Sequence, residues 1–317
     1  MPHPDGDRRR RRPTAITPPA RSRARAVRAA PRPTAAATIA ADARAIVAAL
    51  ASFAAVATAL LVSAPGRAEP GAGSGPSSAR VALRFVGSIA RLRIMTAEVD
   101  ADLDPTAYAG AVTFQSAGLA GFFKTARIEG RGAGVRMPGG FAPETYTHVE
   151  VNGRKRREVD LTFLGEDVSV DATPPFGSFG DPAPTPAQKR EALDPLAMVL
   201  QVALAGGADP CSRVVPVFDS KLRYDLEFHP DGDEPDLRTR GYRGPAQRCL
   251  VYYRPIAGYD PEDLAEDEVY ATPIRLWLAE VAPGVTAPAL IRARFDAGVL
   301  PFGVKLELTR ADVISGG

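Results

Sequence analysis

Two cysteines and two histidines are the side chains of this sequence best suited to covalent or metal chemistry. Cys211 lies in the stretch GGADPCSRVVPVFDSK, and Cys249 is the only other cysteine. A thiolate beside a histidine base is a nucleophile, and His148 or His229 would supply that base. A zinc site lacks ligands, because His3 is the only further histidine and no C-x-x-C or H-x-x-x-H spacing occurs. The third alternative joins the two sulfurs in a disulfide.

Carboxylates cluster in two segments that deserve a metal interpretation. The stretch HPDGDEPD holds Asp231, Asp233 and Asp236 at a spacing that suits calcium, but it lacks the EF-hand order and the distal glutamate. We interpret it as a solvated hairpin tip, with the three aspartates as a weak calcium candidate. The acidic run between Asp260 and Glu268 is likewise predicted to be a solvated loop. No cofactor is expected.

Two other segments have residue types that suit anions. GRGAGVRMPGG, residues 130–140, is rich in glycine but lacks the Lys-Ser/Thr ending of a phosphate-binding loop. The basic residues Arg154 to Arg157 follow an Asn-Gly turn and are predicted to project into solvent, where anionic headgroups or an acidic partner could meet them. Neither segment predicts a catalytic site.

Charge is divided unevenly along the 317 residues. Twelve arginines and three aspartates fall within residues 1–68, which leaves 27 basic and 34 acidic side chains, a net charge of about −7, for residues 69–317. A body with this charge repels the phosphates of nucleic acids. The five consecutive arginines near the start therefore do not indicate a DNA-binding protein.

The arginine-rich start is followed by the features of an export signal. An apolar segment covers residues 45–63, and small residues at Gly66 and Ala68 suit cleavage after Ala68. The alternative is an uncleaved anchor in the inner membrane, because 19 apolar residues can just span a bilayer. In an oxidising compartment two cysteines of one domain usually pair, so export predicts a disulfide between Cys211 and Cys249.

The rest of the chain alternates apolar and polar residues as β-strands do. RVALRF places Val81, Leu83 and Phe85 on one face, and the pattern in LRIMTAEVDADL switches face between Ile94 and Met95, which predicts a β-bulge. Ten to twelve strands follow from such segments. THVEVNGRKRREVDLTFL is the clearest hairpin, with its turn at Asn-Gly.

One apolar helix is expected within this β-rich body. DPLAMVLQVALAGG predicts a helix over about 194–205, capped by Asp194 and ended by two glycines. The predicted organisation is a leader (1–68), a linker (69–79), one β-rich domain (80–312, with a loop at 172–193) and a tail (313–317). We expect a large curved antiparallel sheet, an open barrel or β-spiral, with the helix buried in its concavity.

The order of several segments resembles an exported proteobacterial family catalogued as domain of unknown function 3108. The segments are GLAGFF, the Asn-Gly-basic hairpin, DPLAMVL, DPC, VPVFDSKLRYDL, RCLVYYRPIAGY, PIRLWLAE and LPFGVKLELT. The resemblance implies secretion and a β-rich body, and it transfers no catalytic residue. By fold analogy alone, such sheets are similar to lipoprotein carriers that hold acyl chains. The acidic insertion DPEDLAEDEVYAT departs from the family pattern.

Together these observations predict a periplasmic, non-enzymatic protein of a Gram-negative cell envelope. It would support envelope integrity by binding a lipid, another apolar ligand or a partner protein, and it would meet a membrane only through an uncleaved leader. Two alternatives stay open: a periplasmic hydrolase that uses carboxylates or Cys211, and an assembly scaffold in the envelope.

Overall fold

The computed structural model describes most of the predicted β-rich domain. The described residues are 78–118, 126–137, 140–165, 167–204, 209–264, 271–296 and 301–315. The predicted leader, its cleavage site after Ala68, the anchor alternative at residues 45–63 and nearly all of the linker lie outside the described residues.

Thirteen strands form one antiparallel sheet in the order β7-β6-β5-β4-β3-β2-β1-β13-β12-β11-β10-β9-β8. Both halves of the chain are up-and-down meanders, and β1 joins them by pairing with the last strand, β13. The predicted antiparallel sheet is confirmed. The strands are β1 (Ala79–Ile89), β2 (Leu92–Leu103), β3 (Ala107–Ser116), β4 (Ala126–Met137), β5 (Gly140–Asn152), β6 (Lys155–Leu164), β7 (Asp167–Thr173), β8 (Arg213–Phe218), β9 (Arg223–Arg238), β10 (Arg243–Ala257), β11 (Ile274–Ala282), β12 (Val285–Asp296) and β13 (Pro301–Ser315).

Side-chain alternation decides which face of each strand is buried. Val81, Leu83 and Phe85 of β1 point inward and are at most 3% exposed. The register between β1 and β2 shifts between Gly87 and Ser88, and Ile94 is the residue left out of the pairing. This confirms the predicted bulge, because one extra residue moves the following side chains to the other face.

The predicted hairpin around the Asn-Gly pair is also present, with its turn one residue later. Asn152 pairs with Lys155, so Gly153 and Arg154 form the two-residue loop. Gly153 has a φ of 63°. A glycine is typical at the first position of such a loop because a side chain is strained at positive φ.

Three helices accompany the sheet: α1 (Pro186–Arg190), α2 (Pro195–Leu204) and α3 (Pro261–Leu264). The predicted central helix is confirmed as α2. The expectation that residues 172–193 contain no regular element is wrong, because β7 continues to Thr173 and α1 lies inside the segment. The helix α1 begins with a capping box, in which Thr185 and Gln188 bind each other's backbone N–H groups.

The sheet curls around α2. This helix packs against β3, β4, β5, β8 and β12, although β5 and β8 stand ten strand positions apart. In a flat sheet that separation would be about 48 Å, whereas a ten-residue helix is only about 15 Å long. The sheet must therefore be rolled, with α2 inside it. Six side chains of α2 are at most 2% exposed: Leu196, Ala197, Met198, Val199, Leu200 and Val202.

The roll has two edges, β7 and β8, and the chain that connects these strands crosses between them. Within it, α1 packs against β7. Leu193 then forms a parallel bridge with Val217 of β8, donating its N–H to the Pro216 carbonyl at 2.9 Å. The connection therefore links both edges. Among the described residues, no helix has the length and apolar content that crossing a bilayer requires.

Candidate functional site

The two cysteines form the disulfide that the sequence predicts. Their Cα atoms are 5.3 Å apart and 38 residues separate them in the chain. Both residues are fully buried. Cys211 follows a turn in which Asp209 Oδ1 accepts a hydrogen bond from the Cys211 N–H at 2.9 Å, and Cys249 lies on β10. The bridge ties the chain that follows α2 to β10, and while it is closed neither sulfur is a nucleophile.

Neither candidate histidine contacts the disulfide in the described structure. His229 lies on β9 with its side chain 55% exposed, 4.0 Å from Glu227 and edge-on to the Tyr252 ring. His148 lies on β5, with the Tyr146 ring 5.8 Å away. Burial, followed by the nearby Arg157 charge, lowers the pKa of His148 to about 4. His148 is therefore neutral at pH 7.

The three aspartates of the calcium candidate lie along β9 and not in a hairpin tip. The expected tip is wrong because β9 continues to Arg238, and the turn follows it. Asp236 bonds Arg238, which lowers the pKa of Asp236. Asp233 pairs in register with Gln247, and the Asp231 carbonyl accepts two bonds from Arg248. Within the described part of the chain, no three His, Cys, Asp or Glu residues are grouped to hold a metal ion.

Asp194 is the buried carboxylate at the centre of the roll. Its Oδ1 accepts hydrogen bonds from the N–H groups of Leu196 (2.7 Å) and Ala197 (3.0 Å), so it caps α2 as predicted. Its Oδ2 accepts from the Tyr108 hydroxyl at 3.4 Å. Desolvation raises the pKa of Asp194 to about 7, although these hydrogen bonds oppose the shift. The cap holds α2 in place, but a fully buried carboxylate cannot reach a solvent-borne substrate.

A group of aromatic side chains at the β8–β10 end of the roll was not predicted. Tyr224 and Tyr253 stack with ring centroids 4.5 Å apart, and the Tyr253 hydroxyl bonds that of Tyr259. Nearby, Asp219 accepts bonds from the N–H groups of Lys221 (3.2 Å) and Leu222 (2.8 Å), and burial raises its pKa to about 6. The alternating pattern KLRYDLEF indicated the strand, but only the tertiary structure brings these rings together.

The glycine-rich segment once considered for phosphate is a buried part of β4. Gly130, Gly132 and Gly134 all face the interior, beneath side chains of α2 and neighbouring strands. A Cβ atom on Gly132 would lie 3.2 Å from Leu196 Cδ2, and one on Gly134 would lie 2.8 Å from the Tyr108 ring. These glycines leave the space that α2 and the tyrosine rings occupy.

The inner face of the roll is less completely covered near the β7 edge. Leu161 and Val168 are 1% and 6% exposed, but their inward-facing neighbours Phe163 and Val170 are only half-buried. The strands β6 and β7 are not among those with which α2 makes its main contacts. This arrangement leaves apolar surface partly accessible beside an edge of the sheet, and we take it as the candidate ligand surface.

Comparison with known proteins agrees with this architecture. The family model described as "Protein of unknown function (DUF3108)" matches residues 82–309. No curated protein matches the chain. One similar solved structure is a crystal structure of a beta-barrel-like protein of domain of unknown function DUF1849 from Brucella abortus. It is 11% identical, with 74% of this chain and 98% of that chain covered and a TM-score of 0.40. Because the family model covers most of its length, the chain belongs to the DUF3108 family of proteins of unknown function.

Proposed function

We propose that this chain is an exported, non-enzymatic protein of a Gram-negative cell envelope that binds an apolar ligand on the inner face of its sheet. The observation that carries the proposal is the half-buried apolar pair Phe163 and Val170, which faces the interior beside the β7 edge. Apolar surface of this kind, bordering a packed core, is where acyl chains or similar groups gain most from burial.

A charge placed on either side of β7 tests the ligand surface. Val170 faces the interior, and the adjacent Ser169 is exposed on the other face. With delipidated protein and radiolabelled envelope lipids, we expect binding by the wild-type chain and by S169E, and its loss in V170E. The two variants have the same charge and differ only in the face that bears it. Absence of lipid binding by the wild-type chain at any ratio would refute the ligand proposal.

Export rests on the basic and apolar leader and is supported by the closed disulfide. Intact mass of protein recovered from the periplasm is expected to correspond to a chain that begins at Glu69. If residues 45–63 instead stay on a chain that fractionates with the inner membrane, the anchored alternative is correct.

The proposal of a non-enzymatic role competes with a hydrolase that uses Cys211 or carboxylates. The disulfide occupies both sulfurs. The buried carboxylates of Asp194 and Asp219 accept backbone N–H groups, which is a structural role. A thiol assay on native protein is expected to detect no free thiol. Detection of one reactive thiol would revive the cysteine nucleophile.

A partner protein is the second candidate, favoured by the edges of the roll. The pairings of the described strands leave one side of β7 without a neighbouring strand, and such an edge can accept a further strand from a partner. Photo-crosslinking in intact cells from Asp171 on β7 is expected to yield one discrete adduct. Asp100 on the central strand β2 is the control site.

A further inference from the structure

Basic side chains form a continuous row on the outer face of the sheet. Arg275 of β11 is the register partner of Arg292 on β12, which is in turn the partner of Lys305 on β13. The neighbours of these residues along each strand, Leu276, Ala293 and Leu306, are buried inside the roll, so the three cations point outward. Direct cross-strand neighbours have Cβ atoms about 5 Å apart.

The row continues into the first half of the chain. Ser88 of β1 pairs with Lys305 on one side and with Arg93 of β2 on the other. Arg294 lies two residues beyond Arg292 on the same outer face of β12. With Arg91 of the β1–β2 turn, six cations make up what we call the basic surface: Arg91, Arg93, Arg275, Arg292, Arg294 and Lys305.

Acidic side chains hardly neutralise this basic surface. Among the side chains that the structure describes, its only ion pair joins Lys305 to Glu307 at 3.0 Å. By contrast, exposed arginines at the other end of β1 and β13 are paired, Arg80 with Asp102 and Arg310 with Asp312. Since residues 69–317 carry a net charge of about −7, this concentration of unpaired positive charge is local and does not reflect the composition of the body.

Such a row weakens the isolated protein. Like charges that face each other directly across strands are destabilising. Only Arg292 has a compensating contact, above the ring of Trp277 with 5.4 Å to its centroid. An anionic surface that binds the row would relieve the repulsion.

The β1–β2 turn adds an apolar group to the same surface. Ala90 and Arg91 have φ values of 46° and 73°, a conformation that turns usually assign to glycine or asparagine. The following Leu92 is 58% exposed, and Arg93 completes the Arg-Leu-Arg tip. An exposed leucine between two arginines suits the boundary between headgroups and acyl chains, and it gains nothing from a soluble polyanion.

We propose that the basic surface, with Leu92 at its tip, docks this protein on an anionic phospholipid bilayer. The arginines bind lipid phosphates in the bidentate geometry that guanidinium groups favour, and Leu92 inserts between the headgroups. The contact involves the folded body and is separate from the leader, which the sequence suggested as the only segment to meet a membrane. It is also separate from the ligand surface inside the roll.

Trp277 is the only tryptophan of the chain and lies beneath Arg292, so it reports on this surface and not on the leader. Energy transfer from Trp277 to a dansyl-labelled lipid is measured with the full chain and two kinds of vesicle: phosphatidylcholine alone, and phosphatidylcholine with phosphatidylglycerol. We expect transfer on the anionic vesicles only, decreasing as salt is added. R275Q/R294Q is expected to weaken vesicle binding about fivefold for each cation removed, roughly 25-fold for the pair.

The matched control is R80Q/R310Q, which removes the same charge from the other end of β1 and β13 and should change vesicle binding by less than about twofold. Because it relieves repulsion, R275Q/R294Q should melt at the wild-type temperature or above, which separates a binding defect from misfolding. Equal transfer on both vesicles, or equal losses in the two double variants, would overturn the proposal. Binding of soluble polyphosphate that depends on Arg275 and Arg294, without transfer on vesicles, would assign the surface to a soluble polyanion instead.

Discussion

At the scale of single residues, Asp194 connects the packing of the roll with its dependence on pH. Burial raises the folded-state pKa of Asp194 to about 7, whereas the unfolded value is about 4. A raised pKa means that its contribution to stability is complete below about pH 4 and is lost as the pH rises through 7.

Asp194→Asn should therefore flatten the pH dependence of stability. Asparagine remains a good N-cap, so the helix is retained while the titration disappears. Between pH 4 and 7 we expect the free energy of unfolding of the wild-type chain to fall by on the order of 3 kcal/mol relative to the variant. Urea denaturation at several pH values measures this difference. Parallel pH profiles would show that Asp194 does not titrate in this range; Asp219 is common to both proteins and cancels.

At the scale of elements, the fit of α2 on β4 depends on glycines. Gly134→Ala is expected to cost about 1 to 3 kcal/mol, because its Cβ would collide with the Tyr108 ring and with the Ala142 carbonyl. Gly303→Ala in β13 is the control, since the nearest atom to its Cβ would be 3.9 Å away. That variant should be neutral or slightly stabilising. Thermal unfolding compares the two, and equal losses would contradict this account of β4.

The disulfide joins the segment after α2 to β10. Replacing both cysteines, as in C211S/C249S, is expected to lower the free energy of unfolding by up to about 4 kcal/mol, because the unfolded chain regains the entropy of a 38-residue loop. Chemical denaturation of the oxidised, reduced and doubly substituted proteins tests this. The reduced wild-type chain should match the double variant, and a stability that does not change on reduction would contradict the prediction.

At the scale of the whole molecule, the sheet is held together at its middle and open at its edges. β1 and β13 bring the two ends of the domain together and are paired on both sides, whereas β7 and β8 are the terminal strands. Amide hydrogen exchange is expected to be slowest in β1, β13 and β12, and fastest in β7, because an edge opens without breaking the rest of the ladder. Fast exchange in β1 would mean that the two meanders unfold independently.

Several features were predictable from the sequence because they depend on neighbours along the chain. Alternation identified the inward faces of the strands, and a change of parity located the bulge at Ile94. Asp194 and Pro195 marked the start of α2. The capping box of Thr185 and Gln188 was a similar local signal, but the surrounding prolines and glycines obscured it.

The sequence by itself determined that this chain makes an antiparallel sheet with one apolar helix and a pair of cysteines. The tertiary structure alone decided that the sheet rolls around that helix, that β1 pairs with β13, and that Arg275, Arg292, Lys305 and Arg93 stand in one row. The physical reason is that side-chain periodicity is a local property, whereas register is set by pairing between strands more than 200 residues apart. Both proposed surfaces are properties of that register and curvature.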